Sequence, residues 1–298
     1  MFQCSRIMRI KSLVSPIVTV IGAWIFLSSC VLAQQSAPAY EGLAELPGVH
    51  IWYKDTGGSG IPVVFLHAST GSMRVWEHQT PAFTKAGYRV IAYDRRGWGR
   101  SVVIPSGKQP GTAADDLHAL LDHLNVDRFH IVATAAGGSI SWDVALSFPE
   151  RVRSMIVANN SGRVVDEEYR NLVSSLRPKQ WDELPSEFRE VGPTYRATNP
   201  EGTRRWIELE HMSRPPGPLM DTQPLRNRLT FTLLETVQTP VLIIRGGSDL
   251  ASPAPLSKYF SDRVKTAETL VVPDAGHSVH WEEPEIFNKA VLDFIGKY

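Results

Sequence analysis

The chain has 298 residues, with 31 Lys and Arg balanced by 31 Asp and Glu. A neutral chain without a Lys/Arg run or basic stripe argues against nucleic acid as a partner. Its two cysteines, Cys4 and Cys30, lie close to the N-terminus, so everything after them carries neither a disulfide nor a thiolate metal site.

The chain opens with Arg6, Arg9 and Lys11, followed by the apolar run LVSPIVTVIGAWIFLSS with no acidic residue before it. A basic start, an apolar stretch and a small-residue exit predict a secretory signal over 1–33. VLA at 31–33 suits cleavage after Ala33. LSSC at 27–30 suits a bacterial lipoprotein box instead, which would leave Cys30 lipidated as the one membrane anchor. Pro16 and Gly22 interrupt the run and argue against a spanning helix. On either reading the protein is exported, to the periplasm or beyond. Setting the leader aside leaves 28 basic residues against 31 acidic ones. A body of about 265 residues buries one large core as a single domain.

After the polar linker QQSAPAYEG, apolar runs alternate with helical patterns. HIWYKDTGGSG predicts a first strand and a turn, and its glycines serve the turn because no helix follows them. IPVVFLH is a continuous apolar run, as in a strand covered on both faces. MRVWEHQTPAFTKAG carries helical spacing to Gly87. YRVIAYD predicts a strand and TAADDLHALLDHL a helix, capped by Thr112 or Asp115. RFHIVAT, GGSISWDVALSF and RVRSMIVANN continue as strand, helix, strand. From Ser161 to about Leu234 the chain turns polar, Pro-rich and helical without a matching strand. PVLIIRGG, PAPLSKYFSD, TLVVPDAG and EIFNKAVLDFIGKY then resume the alternation. The pattern predicts an α/β fold with a mostly parallel sheet flanked by helices: a first core part at 34–160, an inserted helical cap at 161–234 over the strand ends, and a second core part at 235–298.

Five segments in this order carry a resemblance. VVFLHAST is similar to the strand and oxyanion loop of the α/β-hydrolase superfamily, with Ala68 where a Gly normally follows His67. YDRRGWGRS (93–101) is close to the family's Asp-x-Arg-Gly-x-Gly-x-Ser stretch. HIVATAAGG falls where a strand enters the nucleophile elbow. RGGSDLASP (245–253) resembles the segment supplying the triad acid, at Asp249, and VPDAGHSVHWEEPE the one supplying the base, at His277. The resemblance covers the whole body after the leader. It implies the family fold and the chain order nucleophile, acid, His. In the Gly-x-Ser-x-Gly register, however, ATAAG puts Ala133 at the first Gly and Ala135 at the Ser, keeping only Gly137. The small residues predict that the strained turn survives without its hydroxyl. The absence of Asp there disfavours dehalogenase and epoxide-hydrolase chemistry.

Loss of the nucleophile alone costs a serine hydrolase about a million-fold in turnover, which is about 8 kcal/mol of barrier. Three readings follow. In the first, His277, oriented by Asp249, takes a proton from water, and the backbone N–H groups of Ser69 and Ala136 receive the developing oxyanion. This predicts an ester, lactone or C–C hydrolase acting on a small apolar molecule without a cofactor; a lyase or cofactor-free oxygenase would use the same base. In the second, Ser69 or Thr134 is a surrogate nucleophile, Ser69 ahead, while Ser139 is packed. In the third, the pocket only binds a ligand, with Asp249 a turn acid and His277 a loop residue.

Zinc at His277 and His280 is disfavoured because no third ligand is close in sequence; His280 is expected to support the turn into the last helix. Asp94 reads as a structural turn acid. Trp76 and Trp142 read as core and Trp98 as a loop residue near the strand ends. Trp181, Trp206 and Met212 are candidates for an apolar lid wall. Arg163, Arg204 and Arg205 are candidates to meet an acidic substrate.

Overall fold

Strands whose residues are apolar without alternation must be covered on both faces, and the sheet is built that way. A computed structural model describes Met1 and residues 37–104, 111–160, 162–214 and 223–298. The expected leader, with Cys4, Cys30 and the Ala33 cleavage position, lies outside the described residues. Among those described, no helix is long and apolar enough to cross a membrane.

The strands are β1 (Tyr40–Leu46), β2 (Val49–Asp55), β3 (Pro62–Leu66), β4 (Arg89–Tyr93), β5 (Val102–Val103), β6 (Phe129–Thr134), β7 (Val152–Ala158), β8 (Val241–Gly246) and β9 (Ala267–Val272). They form one sheet in the order β1-β2-β4-β3-β6-β7-β8-β9, with β5 on β2. From β4 to β9 every pairing is parallel; β2 pairs antiparallel with β1, β4 and β5. The α/β class and the mostly parallel sheet are therefore as expected. One strand differs: β1 lies partly in the stretch read as a linker. Only Gly42, Ala44 and Leu46 of YEGLAEL face inward, too sparse a set to show the alternation.

Successive strand residues serve opposite layers. Val64, Leu66, Ile131, Ala133, Met155 and Val157 pack with Leu117, Leu120, Trp142 and Phe260 from helices on one face. Val63, Phe65, Val132, Ile156, Leu242 and Ile244 pack with Trp76, Phe83, Phe287 and Val291 on the other. Thr112 caps the helix Ala113–His123 in a reciprocal capping box with Asp115, as its sequence predicts. The expected helix after β3 is instead a 3-10 turn, Met73–Trp76, and a separate helix, Gln79–Lys85.

Between β7 and β8 lie the helices Glu167–Leu176, Ser186–Glu190, Pro193–Thr198 and Pro200–Ser213, and no strand among the described residues. Toward its end, Leu229, Phe231 and Leu234 return to the core under the sheet. The insert is tied to the loop after β9: the Gly192 N–H donates to Glu282 at 2.9 Å and Trp206 Nε1 to Ser278 Oγ at 3.2 Å.

Candidate active site

Ligands of parallel sheets bind beyond the carboxyl ends of the strands, and the expected site residues collect there. Loops leaving β3, β6, β7 and β8 deliver His67 to Thr70, Ala135, Asn159 with Asn160, and Asp249, while the loop after β9 delivers His277. A cleft of about 480 Å³ opens over them, lined by Ser69, Ala135, Ala136, Glu190 and His277 among others.

The bend at Ala135 has φ 46 and ψ −115, a conformation that costs a non-glycine residue on the order of 1–3 kcal/mol and persists only when its surroundings impose it. Here they do. Its N–H donates to Ala158 O at 2.9 Å and its carbonyl accepts from Gly138 N at 3.0 Å and from the Asn160 side chain. The glycine pair lets the following helix approach: a Cβ at Gly137 would sit 2.3 Å from the Leu66 carbonyl oxygen, and one at Gly138 2.7 Å from Asn160 Cβ. The elbow is thus complete as a backbone object, with a methyl where a nucleophile would stand. Ala136 begins the helix Ala136–Ser147, so its N–H has no intrahelical acceptor and is free to receive negative charge.

His67 is fully buried and neutral. Its Nδ1 donates to Ala68 O at 2.7 Å, and its Nε2 accepts from the Arg95 N–H at 3.0 Å. Burial, with Arg95 adding to it, holds the imidazole well below its ordinary range. Together with Trp98 Nε1, which donates to Ser69 O at 2.7 Å, these bonds fix the loop carrying Ser69. Asp94 accepts from the backbone of Met73 at 2.8 Å and Arg100 at 2.9 Å, the structural role expected of it.

His277 Nδ1 donates to Asp249 Oδ2 at 2.8 Å. The same oxygen accepts from Asn159 Nδ2 at 2.9 Å, and Oδ1 accepts from the N–H groups of Ala251 and Ser252 at 2.8 Å each. Burial opposes the Asp249 charge, but His277 and these donors outweigh it and keep the carboxyl below its usual range. On the other side of the ring, Glu190 Oε2 lies 4.0 Å from His277 Nε2. Glu190 comes from the inserted helices, and the Thr70 hydroxyl hydrogen-bonds to it. Burial, the largest influence, raises the Glu190 carboxyl, with Asp249 adding to the rise against the pull of His277. Burial also opposes charge on His277, yet Asp249 and then Glu190 prevail and push it up to about 9. Both carboxylates favour the charged form of the ring. A neutral His277, which proton abstraction from water requires, is disfavoured by the second carboxylate that faces the ring.

Glu282 holds this arrangement together. It accepts from the N–H groups of Gly276 at 2.8 Å, Gly192 at 2.9 Å and Ser278 at 3.1 Å, which joins the two neighbours of His277 to the insert two residues beyond Glu190.

The other expected residues sort plainly. Ser69 lines the cleft. Thr134 does not: it is 1% exposed at the end of β6, below the bend, and offers no hydroxyl to a substrate. Ser139, expected to be packed, is buried yet borders the cleft, its Oγ accepting from Asn160 Nδ2 at 3.1 Å. Trp76 and Trp142 are core residues. The apolar lid wall fails, because only Trp181 of its three members reaches the cleft. Trp206 packs with Val191, Leu209 and Trp281, and Met212 is exposed. Of the three arginines proposed, Arg163 borders the cleft; Arg204 is 69% exposed and Arg205 pairs with Glu77 and Glu208. His280 is buried, stacks on Trp76 at 4.8 Å and accepts at its carbonyl from Gln79 at 2.7 Å. Among the described residues no group of three or more His, Cys, Asp or Glu is placed to hold a metal.

Sequence reasoning missed Glu190, Thr70, Asn159, Asn160, Arg177 and Arg189. Two Asn following the apolar end of β7, MIVA, were a usable signal; the insert's charged residues had none.

A family described as alpha/beta hydrolase fold matches residues 61–284. A putative non-heme bromoperoxidase, BpoC, from Mycobacterium tuberculosis is 31% identical over 262 residues, 80% of this chain and 95% of the relative. A 2-hydroxy-6-oxononadienedioate/2-hydroxy-6-oxononatrienedioate hydrolase from Paraburkholderia phymatum is 28% identical, covering 86% and 93%. Among solved structures, Est816, described as an N-acyl homoserine lactone degrading enzyme, superposes with a TM-score of 0.67 at 25% identity, covering 85% of this chain and all of that one.

Proposed function

Because the chain belongs to the α/β-hydrolase family, we propose that it hydrolyses an ester or lactone of a small molecule by adding water directly to the carbonyl, with no covalent intermediate. The reading is carried by one observation: an imidazole set between two carboxylates, Asp249 at 2.8 Å and Glu190 at 4.0 Å, in a cleft whose elbow carries only a methyl. A protonated His277 cannot take a proton from water, but Glu190 can. Its raised carboxyl lies closer to working pH, which is what a general base requires.

In this mechanism water attacks the carbonyl carbon as Glu190 takes one of its protons. The carbonyl oxygen becomes an oxyanion and is received by the N–H groups of Ser69 and Ala136. His277, charged and held by Asp249, gives its Nε2 proton to the departing alkoxide as the acyl–oxygen bond breaks. The Glu190 proton then returns to His277 and restores the starting state. One water is consumed, and one acid and one alcohol appear. We also propose export, on the basic and apolar start of the chain.

The test uses the protein cleared of residues 1–33 and a panel of aryl esters and lactones in ¹⁸O-water, quenched rapidly for mass spectrometry of the protein. Turnover with label in the acid, no acyl adduct on any Ser or Thr, and loss of activity in Glu190→Gln and His277→Ala are expected. An adduct on Ser69 would overturn direct attack. Tight ligand binding with no turnover on any member would favour the binding-protein reading.

A further inference from the structure

Building on the hydrolytic reading above, we propose that the substrate carries a free carboxylate, held by Arg177 and Arg189 beside Trp181. All three residues border the cleft and come from the insert, as does Glu190. The Arg177 guanidinium carbon lies 4.9 Å from the Trp181 ring centroid and that of Arg189 5.8 Å, so one indole gathers both cations.

Neither cation forms an ion pair among the described residues, although the charge of Arg189 acts on its neighbour Glu190. Among the described residues no carboxylate lies within ion-pair range of Arg177 or Arg189, and the Nε of each is buried without a hydrogen-bond partner. Arg177 Nη2 has only a long 3.4 Å contact with Ala251 O. Two other arginines are gripped by carboxylates, Arg89 by Asp55 through Nε and Nη2 and Arg96 by Asp116 likewise, while among the described residues the buried Arg95 and Arg245 have none in range and lean on backbone carbonyls. Arg177 and Arg189 are half-buried with Nε shielded, and a planar carboxylate meets the paired N–H groups of a guanidinium in the geometry they require. Among the described residues the one carboxylate lining the cleft, Glu190, faces His277 at 4.0 Å and also feels Arg189 and Thr70. Arg163, at the exposed edge with Nη1 on Gln223 O at 3.0 Å, adds a third positive charge that draws an anion inward. On this proposal the substrate is anionic, where the sequence led to the expectation of a small apolar molecule.

The experiment compares two esters of one shape, the 4-nitrophenyl monoester of glutarate and its neutral counterpart ending in a carboxamide. We expect kcat/KM for the glutarate ester to exceed that for the amide by about tenfold or more. The ratio should fall toward one in Arg177→Met and in Arg189→Met, chiefly through KM, and persist in Arg204→Met. Calorimetry with glutarate, glutaramide and inorganic phosphate supplies a readout independent of turnover, and thermal melts verify folding; glutarate should bind most tightly, and only to protein with both arginines. Equal rates on the two esters, a ratio preserved in both variants, or phosphate binding more tightly than glutarate would overturn the proposal. If neither ester turns over while glutarate binding depends on both arginines, the carboxylate site stands and the hydrolytic reading fails. If the neutral ester turns over without charge preference, the reverse holds.

Discussion

Replacing Glu190 with Gln removes a charge 4.0 Å from His277 Nε2 while nearly preserving shape. At that distance a unit pair is worth about 1 kcal/mol in water and about 4 kcal/mol at the effective dielectric typical of proteins. These limits correspond to about one and three pKa units. The imidazole, pushed up to about 9 in the parent protein, should therefore titrate between about 6 and 8 in the variant. Long-range ¹H–¹⁵N spectra of the His277 ring, recorded against pH, read this directly. Turnover at neutral pH should fall by about 10²–10⁴, the usual contribution of a general base. The sign for stability follows from His277 being raised above its ordinary 6.5. Its contribution is complete below about 6.5, is lost as pH climbs toward about 9, and in the variant is lost earlier. An imidazole titration unmoved by the substitution would refute the two-carboxylate arrangement. A lowered titration with undiminished turnover would refute Glu190 as the base.

Further outcomes test the remaining parts of the site. Ala135→Ser places a hydroxyl on a bend already at φ 46; above about pH 9, where His277 is neutral, the variant should label with a fluorophosphonate probe that leaves Ala135 protein untouched, and failure to label there would mean that the bend does not aim its side chain at the cleft. Asp249→Asn keeps shape but removes the charge that orients and stabilises the protonated ring, so kcat should drop by about 10³–10⁴ and the His277 titration should shift downward; unchanged kinetics would remove Asp249 from the mechanism. Gly137→Ala forces a methyl to within 2.3 Å of the Leu66 carbonyl. Backbone cannot yield cheaply there, so a loss of about 2–4 kcal/mol in urea titrations is expected, and a neutral result would contradict the close helix–strand approach.

Much of this protein was settled by local sequence. Continuous apolar runs such as PVVFL demanded a sheet buried on both faces, and the alternating helices demanded that it be mostly parallel. ATAAG marked a strained turn between strand and helix, and the chain makes that bend at Ala135, because such a turn and its glycines have their own spelling. Local pattern failed where a side chain's role depends on what stands opposite. Tyr40–Leu46 has too few inward residues to show its period. Thr134 adjoins the bend in sequence but lies beneath it, and Trp206 has the composition of a lid wall yet packs into a cluster of its own.

Glu190 is the clearest case of what only the tertiary structure decided. In sequence it is one acid among many in a polar insert. Folding the insert over the strand ends, anchored by Glu282 to Gly192 and to both neighbours of His277, sets that acid against a histidine 87 positions later. Electrostatic roles depend on distance and burial, which a linear pattern does not encode. His277 and Asp249 were legible in sequence; the acid on the other side of the ring was decided by the fold.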